Sequence, residues 1–439
     1  MQRISSRHWC GAFILAATAA SGILPAQLAA QTENVIFSFN DPQFTATACG
    51  NLQLSAGLLY LNDRLYGTTP SGGTGELGLP TTRDGVAFGL TIPQGDQTEG
   101  QRNILHSFVN DVEGDGLYPC ARLIAGPRGA IYGTTISGGA HGLGSVFMLT
   151  HPSGQKGWTE RVLYSFQGGS DGAGPAGGLT LDASGNLYGA TSGGGNNNNG
   201  TVFELIKPPS GDDFTETILY SFTGGDDGYV PNGDLLLDST GTLFGTTFYG
   251  GLYEAGTVFS LTPTGTIGVW NKATLWDFDS ASTLYSAAGP NGGLLGGTGA
   301  LFGTTQNGGA QPLSGDCCGV VFFLWQEYAN DPLYTMVILH QFADGSDGST
   351  PLAGLFKDAS GNFWGSTTAG GGSALGTVFE LAPDPVRVNV WHYSVVYSFQ
   401  GGSDGATPES PLTTDGTALY GTTSAGGAYN GGTVYKLTP

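Results

Sequence analysis

Residues 163–195 read "LYSFQGGSDGAGPAGGLTLDASGNLYGATSGGG", and nearly the same words return at 219–251 as "LYSFTGGDDGYVPNGDLLLDSTGTLFGTTFYGG". A period of this size marks a repeat architecture. The word YGTT and its variants place a glycine at Gly67, Gly133, Gly189, Gly245, Gly303, Gly365 and Gly421, spaced 56 to 66 residues apart. GTVF and its variants begin at Gly85, Gly144, Gly200, Gly256, Gly319, Gly376 and Gly432. A third run ends in Phe39, Phe108, Phe166, Phe222, Phe278, Phe342 and Phe399. Three independent words, each occurring seven times in constant order, define seven units.

Each unit holds four strand candidates, typified by "GLTLD", "NLYGAT", "TVFEL" and "ILYSF". Turn residues separate them, and "ASGN" between the first two suits a tight hairpin. Four antiparallel strands repeated seven times predict an all-β fold, a seven-bladed β-propeller. Val202, Phe203 and Leu205 make the third strand apolar on both faces, as a blade packed against a neighbour on each side requires. A β-helix would need shorter rungs. The small Gly and Thr of YGTT are read as permitting close backbone approach where blades crowd near the axis. By analogy with other propeller repeats, the four strands run from the innermost (A) through B and C to the outermost (D). The mature chain then starts on a D strand, "VIFSF" at 35–39, and ends on a C strand, "GTVYKLTP" at 432–439. The N-terminal strand is therefore expected to complete the last blade and close the ring, removing free sheet edges.

Composition agrees with this. Gly accounts for 77 of 439 residues, and charged residues for only 11%. High Gly with strong β-formers points to many short strands. Residues 1–30 read as a signal peptide, with Arg3 and Arg7 before the apolar "CGAFILAATAASGIL" and cleavage after Ala30. Residues 31–439 are then one seven-repeat domain, secreted or periplasmic, with no membrane insertion after cleavage. Removing two Arg and no acid takes the net charge from −21 to about −23, 12 Lys and Arg against 35 Asp and Glu. Such a surface repels nucleic-acid phosphate and anionic lipid, whereas cations and neutral sugars suit it. A monomer is expected.

The composite "LYSFxGGxDGxxPxxGLxLDxxGNLYGTTxxGGxxxxGTVFEL" resembles the GloVer tandem-repeat proteins, an exported bacterial family called choice-of-anchor for its varied C-terminal sorting tails. The match runs over essentially all of 35–439. The resemblance implies export and repeat architecture, and it carries no catalytic residue over to this chain. Anchored members have a C-terminal hydrophobic tail, whereas this sequence ends at Pro439 directly after a strand, which favours release or periplasmic retention.

In an up-and-down blade the D-to-A and B-to-C loops share one face of the disc, where propeller ligands usually sit; this is an analogy of fold alone. Asp115, Asp171, Asp227, Asp347 and Asp404 hold equivalent places in the D-to-A loops. They are candidate hard-oxygen ligands for Ca²⁺, with no other cofactor expected. Repetition in five units favours the other reading, in which each fixes its Gly-rich turn by accepting backbone amides. Gly168–Gly172 and Gly401–Gly405 match G-x-S-x-G, but they lie between strands, not at a strand-to-helix elbow, so no nucleophile is assigned. Tyr118, Tyr229, Phe248, Tyr249, Tyr253, Tyr285 and Tyr429 fall on the same loops and could stack on sugar rings. Cys49 and Cys120 lie in consecutive D-to-A loops, where a bridge is plausible in an oxidising compartment. Cys317 and Cys318 are adjacent and are candidates for a vicinal disulfide. The scattered histidines form no metal motif, and His106 and His340, equivalent in D strands, read as packing.

These residues predict a binding module for polysaccharide or another surface partner, with no catalytic residue assigned. The competing expectations are a polysaccharide lyase or hydrolase at the channel mouth and a purely structural surface protein. Catalysis needs a unique cluster, and the unit at 278–324 departs most from the pattern.

Overall fold

The computed structural model describes residues 32–40, 57–72, 84–109, 114–151, 157–211, 213–266, 268–281, 286–309, 318–327, 333–387 and 390–438. The proposed signal peptide lies outside them. Seven antiparallel sheets form the blades of a propeller. Blade 3 shows the plan: Thr180–Leu181, Leu187–Thr191, Thr201–Ile206 and Thr215–Ser221 pair in that order, inside to outside. In blades 4, 5 and 7 the inner strand is split into two short segments, such as Tyr229–Pro231 and Leu236–Leu237.

The N-terminal strand Thr32–Ser38 pairs antiparallel with Thr433–Thr438 and becomes the outer strand of blade 7, as the repeat phase predicts. Seven buried clusters hold the ring, one for each seam between neighbouring blades. The closing cluster joins Ile36, Tyr420 and Val434 of blade 7 to Leu65, Val86, Phe88 and Leu90 of blade 1. Val202, Phe203 and Leu205 are all fully buried, which confirms blades that are apolar on both faces.

The YGTT words have a local explanation that differs from the expected backbone crowding. The glycine of strand B faces the aromatic ring of strand C in the same blade, as Gly189 faces Phe203. A Cβ at Gly189 would lie 2.5 Å from Phe203 Cζ, so the glycine makes room for a ring and not for a neighbouring backbone. The following Thr reaches the next blade, as Thr134 Oγ1 donates to the Gly177 carbonyl oxygen at 3.3 Å. The last Thr pairs with the Thr of GTVF, at 2.8 Å for Thr191 and Thr201.

Every outer strand carries a register shift before its final residues, between the partners of Val202 and Phe203 in blade 3. A bulge adds one residue, so side chains beyond it turn over to the opposite face. Residues before the shift thus look back toward the preceding blade and residues after it look forward.

Candidate functional site

The D-to-A and B-to-C loops do share one face. Gly172–Ala173, leaving blade 2, pairs with Gly193–Gly194 of blade 3, and Tyr229 pairs with Tyr249 in blade 4. Each D-to-A loop among the described residues also latches onto the blade it leaves. The residue before the loop proline donates its amide to the previous B-to-C loop, as Val230 donates to the Asn199 carbonyl oxygen at 3.0 Å. The proline ring then covers the GTVF glycine, so a Cβ on Gly200 would come within 2.6 Å of Pro231 Cδ. The latch residue takes positive φ at Tyr118, Val230, Thr350 and Thr407. For a β-branched residue such as Val230 that conformation is strained, so the contacts around it must hold it in place.

The five loop aspartates stand apart, one per seam, and their carboxylates are engaged within their own loops. Asp171 accepts the Tyr164 hydroxyl at 3.0 Å, the Gln167 amide at 2.8 Å and the Gly172 amide at 2.6 Å. Asp404 accepts Tyr397 Oη and the Gln400 amide, both at 2.6 Å. Asp227 accepts Tyr220 Oη at 2.9 Å and the Thr223 amide at 2.8 Å. In two blades histidine replaces the tyrosine: His106 Nε2 lies 3.2 Å from Asp115 Oδ1, and His340 Nε2 lies 3.1 Å from Asp347 Oδ2. In these five blades the clasp ties the end of the D strand to its loop. Burial pushes the Tyr164, Tyr220 and Tyr397 phenols well above their ordinary range, and the aspartate beside each adds to the shift.

Of the candidate aromatics, three come together on blade 4. Tyr229 stacks on Tyr249 at 5.3 Å with ring planes 22° apart, and Phe248 meets Tyr249 edge-on at 4.7 Å. Tyr253 follows on the same loop and is 52% exposed, beside Leu252 at 61% and close in sequence to Tyr249 at 45%. Tyr429 is exposed on blade 7, Tyr118 is half-buried at the entry to blade 2, and Tyr285 lies outside the described residues. Cys120 and Cys318 are buried, while their expected partners Cys49 and Cys317 lie outside the described residues.

At the axis the loops close on themselves. Arg122 Nη2 pairs with Asp234 Oδ2 at 3.1 Å, and the Gly178 amide donates to Asp234 Oδ1 at 2.7 Å. Glu409 lies beside them, its carboxyl raised by burial despite the Ser424 hydroxyl it accepts at 3.1 Å. The free volume here is about 50 Å³, room for a few waters and too little for a sugar ring.

The Gloeobacter/Verrucomicrobia repeat profile matches residues 24–236, 161–328 and 318–439. The chain belongs to this repeat family. Among curated proteins none matches this family member. Among solved structures, three are similar to it. One is of a candidate 6-phosphogluconolactonase from Bacteroides uniformis ATCC 8492, at TM-score 0.50 and 15% identity, covering 82% of this chain and 89% of that one. Another is a protein of unknown function from Dyadobacter fermentans DSM 18053, at TM-score 0.41 and 8% identity over 92% and 96%. A third is a candidate oxidoreductase (glucose dehydrogenase) from Thermus thermophilus, at TM-score 0.40 and 16% identity over 75% and 98%.

The sequence reading of this repeat protein missed one set of residues. Six positions before the terminal Phe of each D strand stand Glu33, Arg102, Glu160, Glu216, Lys272, Met336 and Tyr393. The bulge aims this position back at the preceding blade's aspartate clasp. Lys272 Nζ thus reaches Asp227 Oδ1 at 2.8 Å, and Tyr393 stacks on His340 at 3.6 Å. The signal was available as an alignment column of mixed charge within an otherwise apolar strand. His106 and His340 pack edge-on against Phe108 and Phe342, as expected, but they also bind the clasp aspartates.

Proposed function

We propose that this repeat protein is an exported binding module whose loop face recognises polysaccharide or another extracellular surface partner through blade 4. The observation that carries this reading is the aromatic ledge of Tyr229, Phe248, Tyr249 and Tyr253 on blade 4, in which Tyr249 and Tyr253 are exposed and Tyr229 and Phe248 are half-buried behind them. Flat rings left partly exposed suit stacking against sugar rings, and the adjoining Gly-rich loops offer backbone groups to hydroxyls. Export is supported by the basic-then-apolar residues 1–30, and the bridges Cys49–Cys120 and Cys317–Cys318 by the buried places of Cys120 and Cys318. A calcium ion on the loop aspartates would have to compete with the amide and phenol donors already there. The enzyme alternative has the Arg122–Asp234 pair and Glu409 at the axis, but little space beside them for a substrate.

The test is retention of the protein on a panel of bacterial, algal and plant polysaccharides, followed by titration of the best ligand. Tyr249→Ala with Tyr253→Ala should weaken binding at least tenfold, about 1.4 kcal/mol, while Tyr429→Ala leaves it unchanged. Equal loss from both variants would remove the ledge from the account, and no retention on any polysaccharide would remove the proposed ligand class.

A further inference from the structure

Each clasp aspartate presents negative charge to the seam behind it, and the next blade answers with its own residue. At the seam of blades 3 and 4 the answer is a cation: Lys272 Nζ sits 2.8 Å from Asp227 Oδ1 and 3.0 Å from the Asp227 carbonyl oxygen, its side chain only 8% exposed. Glu33, Glu160 and Glu216 occupy the equivalent place at three other seams, and each has an enclosed Oε1 without a hydrogen-bond partner. At these seams a carboxyl faces a carboxylate where Lys272 shows that a positive charge fits. An enclosed carboxylate needs a counter-charge or a donor.

The three Glu seams are not alike. Behind Glu33 and Glu216 stand Asp404 with Tyr397 and Asp171 with Tyr164, which offer oxygen alone. Behind Glu160 stand Asp115 and His106, which adds a ring nitrogen. One ligand atom from each of His106, Asp115 and Glu160 lies within 4.8 Å of the other two. We propose that this seam, between blades 1 and 2, binds a divalent transition metal of the zinc class through His106 Nε2 and the carboxylates of Asp115 and Glu160.

The local geometry suits that ion. His106 Nε2 stands 3.2 Å and 3.4 Å from the two Asp115 oxygens. A tetrahedral site with metal–ligand bonds of about 2.0 Å has edges of about 3.3 Å, so these two ligands need to move little. The ligands are also oriented by their surroundings. Asp115 accepts the Val109 amide on Oδ2 at 2.9 Å and the Gly116 amide on Oδ1 at 2.8 Å, which leaves one lone pair free on each oxygen. The His106 ring is held edge-on by Phe108 at 4.7 Å. Asp115 is almost wholly enclosed, with its side chain 4% exposed, whereas His106 at 23% opens a path for the ion. A nitrogen with two carboxylates selects zinc-class metals over calcium, which takes six to eight oxygens. Bound there, the ion would join the outer strands of blades 1 and 2 as Lys272 joins those of blades 3 and 4.

The test uses the full chain stripped with EDTA and titrated with ZnCl₂ by calorimetry, with Co²⁺ absorption as a report on coordination geometry. The wild-type protein should take up one zinc and show the intense visible bands of tetrahedral cobalt. Glu160→Gln, an isostere that also relieves the like-charge contact, should bind zinc at least tenfold more weakly and should melt at the same temperature with and without zinc. His106→Gln should lose the cobalt bands. Glu216→Gln, at a seam without histidine, should bind within twofold of wild type. Zinc uptake below one equivalent in wild type, or equal affinity in Glu160→Gln and wild type, would overturn the proposal.

Discussion

Tyr435 is the one strand-C residue facing a YGTT glycine that is not phenylalanine. Phe88, Phe147, Phe203, Phe259, Phe322 and Phe379 take that place in blades 1 to 6, each ring lying over its glycine. Tyr435 puts a hydroxyl there against Gly421, fully buried and without a hydrogen-bond partner. An unpaired buried hydroxyl carries its desolvation cost without compensation. Tyr435→Phe should therefore stabilise the ring, by about 1 kcal/mol, read as a raised midpoint in urea at unchanged slope. A lowered midpoint would mean that the hydroxyl contributes a contact the structure does not show. The aromatic residue was legible in "GTVYKL", since the repeat aligns it with six phenylalanines. Its cost was not, because partner atoms depend on packing. The same limit hid the His106, Asp115 and Glu160 set: they lie on the outer strands and loop of two blades, so no spacing motif could join them.

Among the elements, the outer strand sets the chemistry of each seam, and seams differ in how they respond to pH. Burial, with Asp404 adding to it, raises Glu33 to about 8, and burial with Asp171 raises Glu216 to about 7. Both groups titrate near 4.5 when unfolded. Between those values the folded chain holds protons that the unfolded chain has released. Their contribution is thus complete below about pH 4.5 and is lost as pH rises through about 7 to 8. Asp227 behaves oppositely: burial alone would raise it, but Lys272 and the Thr223 amide hold it below the usual range. Its contribution is present above the unfolded value and is lost on acidification. The melting temperature should therefore fall measurably between pH 5 and pH 8.5. Glu216→Gln should flatten that fall and melt higher than wild type at pH 8, an effect tempered by partial solvent screening. A wild-type melting temperature that climbs with pH across this window would reverse the assignment. Strand order and the alternation of loops were legible from the repeat words. The bulge was not, because one extra residue leaves the apolar pattern of "TILYSF" nearly intact while turning Glu216 and Tyr220 to opposite faces.

The whole molecule is a ring whose seven buried clusters each span two blades, so no blade has a complete core of its own. Cooperativity then depends on closure. The closing seam is made by chain ends almost the full sequence apart: Thr32 pairs with Thr438 and Ser38 with Thr433, while Ile36 and Phe39 enter the cluster shared with blade 1. Repeat phase alone predicted this, because a chain that starts on an outer strand and ends on the third leaves one vacancy to fill. The proposed ligand face was legible only in part. Tyr229, Phe248 and Tyr249 do meet, but equal sequence standing gave Tyr118 and Tyr429 the same claim, and the structure shows neither of them in ring contact with the ledge. The most direct measurement compares thermal unfolding and solution mass of the chain from residue 32 with the chain from residue 41. A closed ring predicts that removing the strand exposes the edge of Thr433–Thr438, lowers and broadens the melting transition, and drives self-association. An unchanged, sharp transition of a monomer would show that the N-terminal strand does not close the propeller.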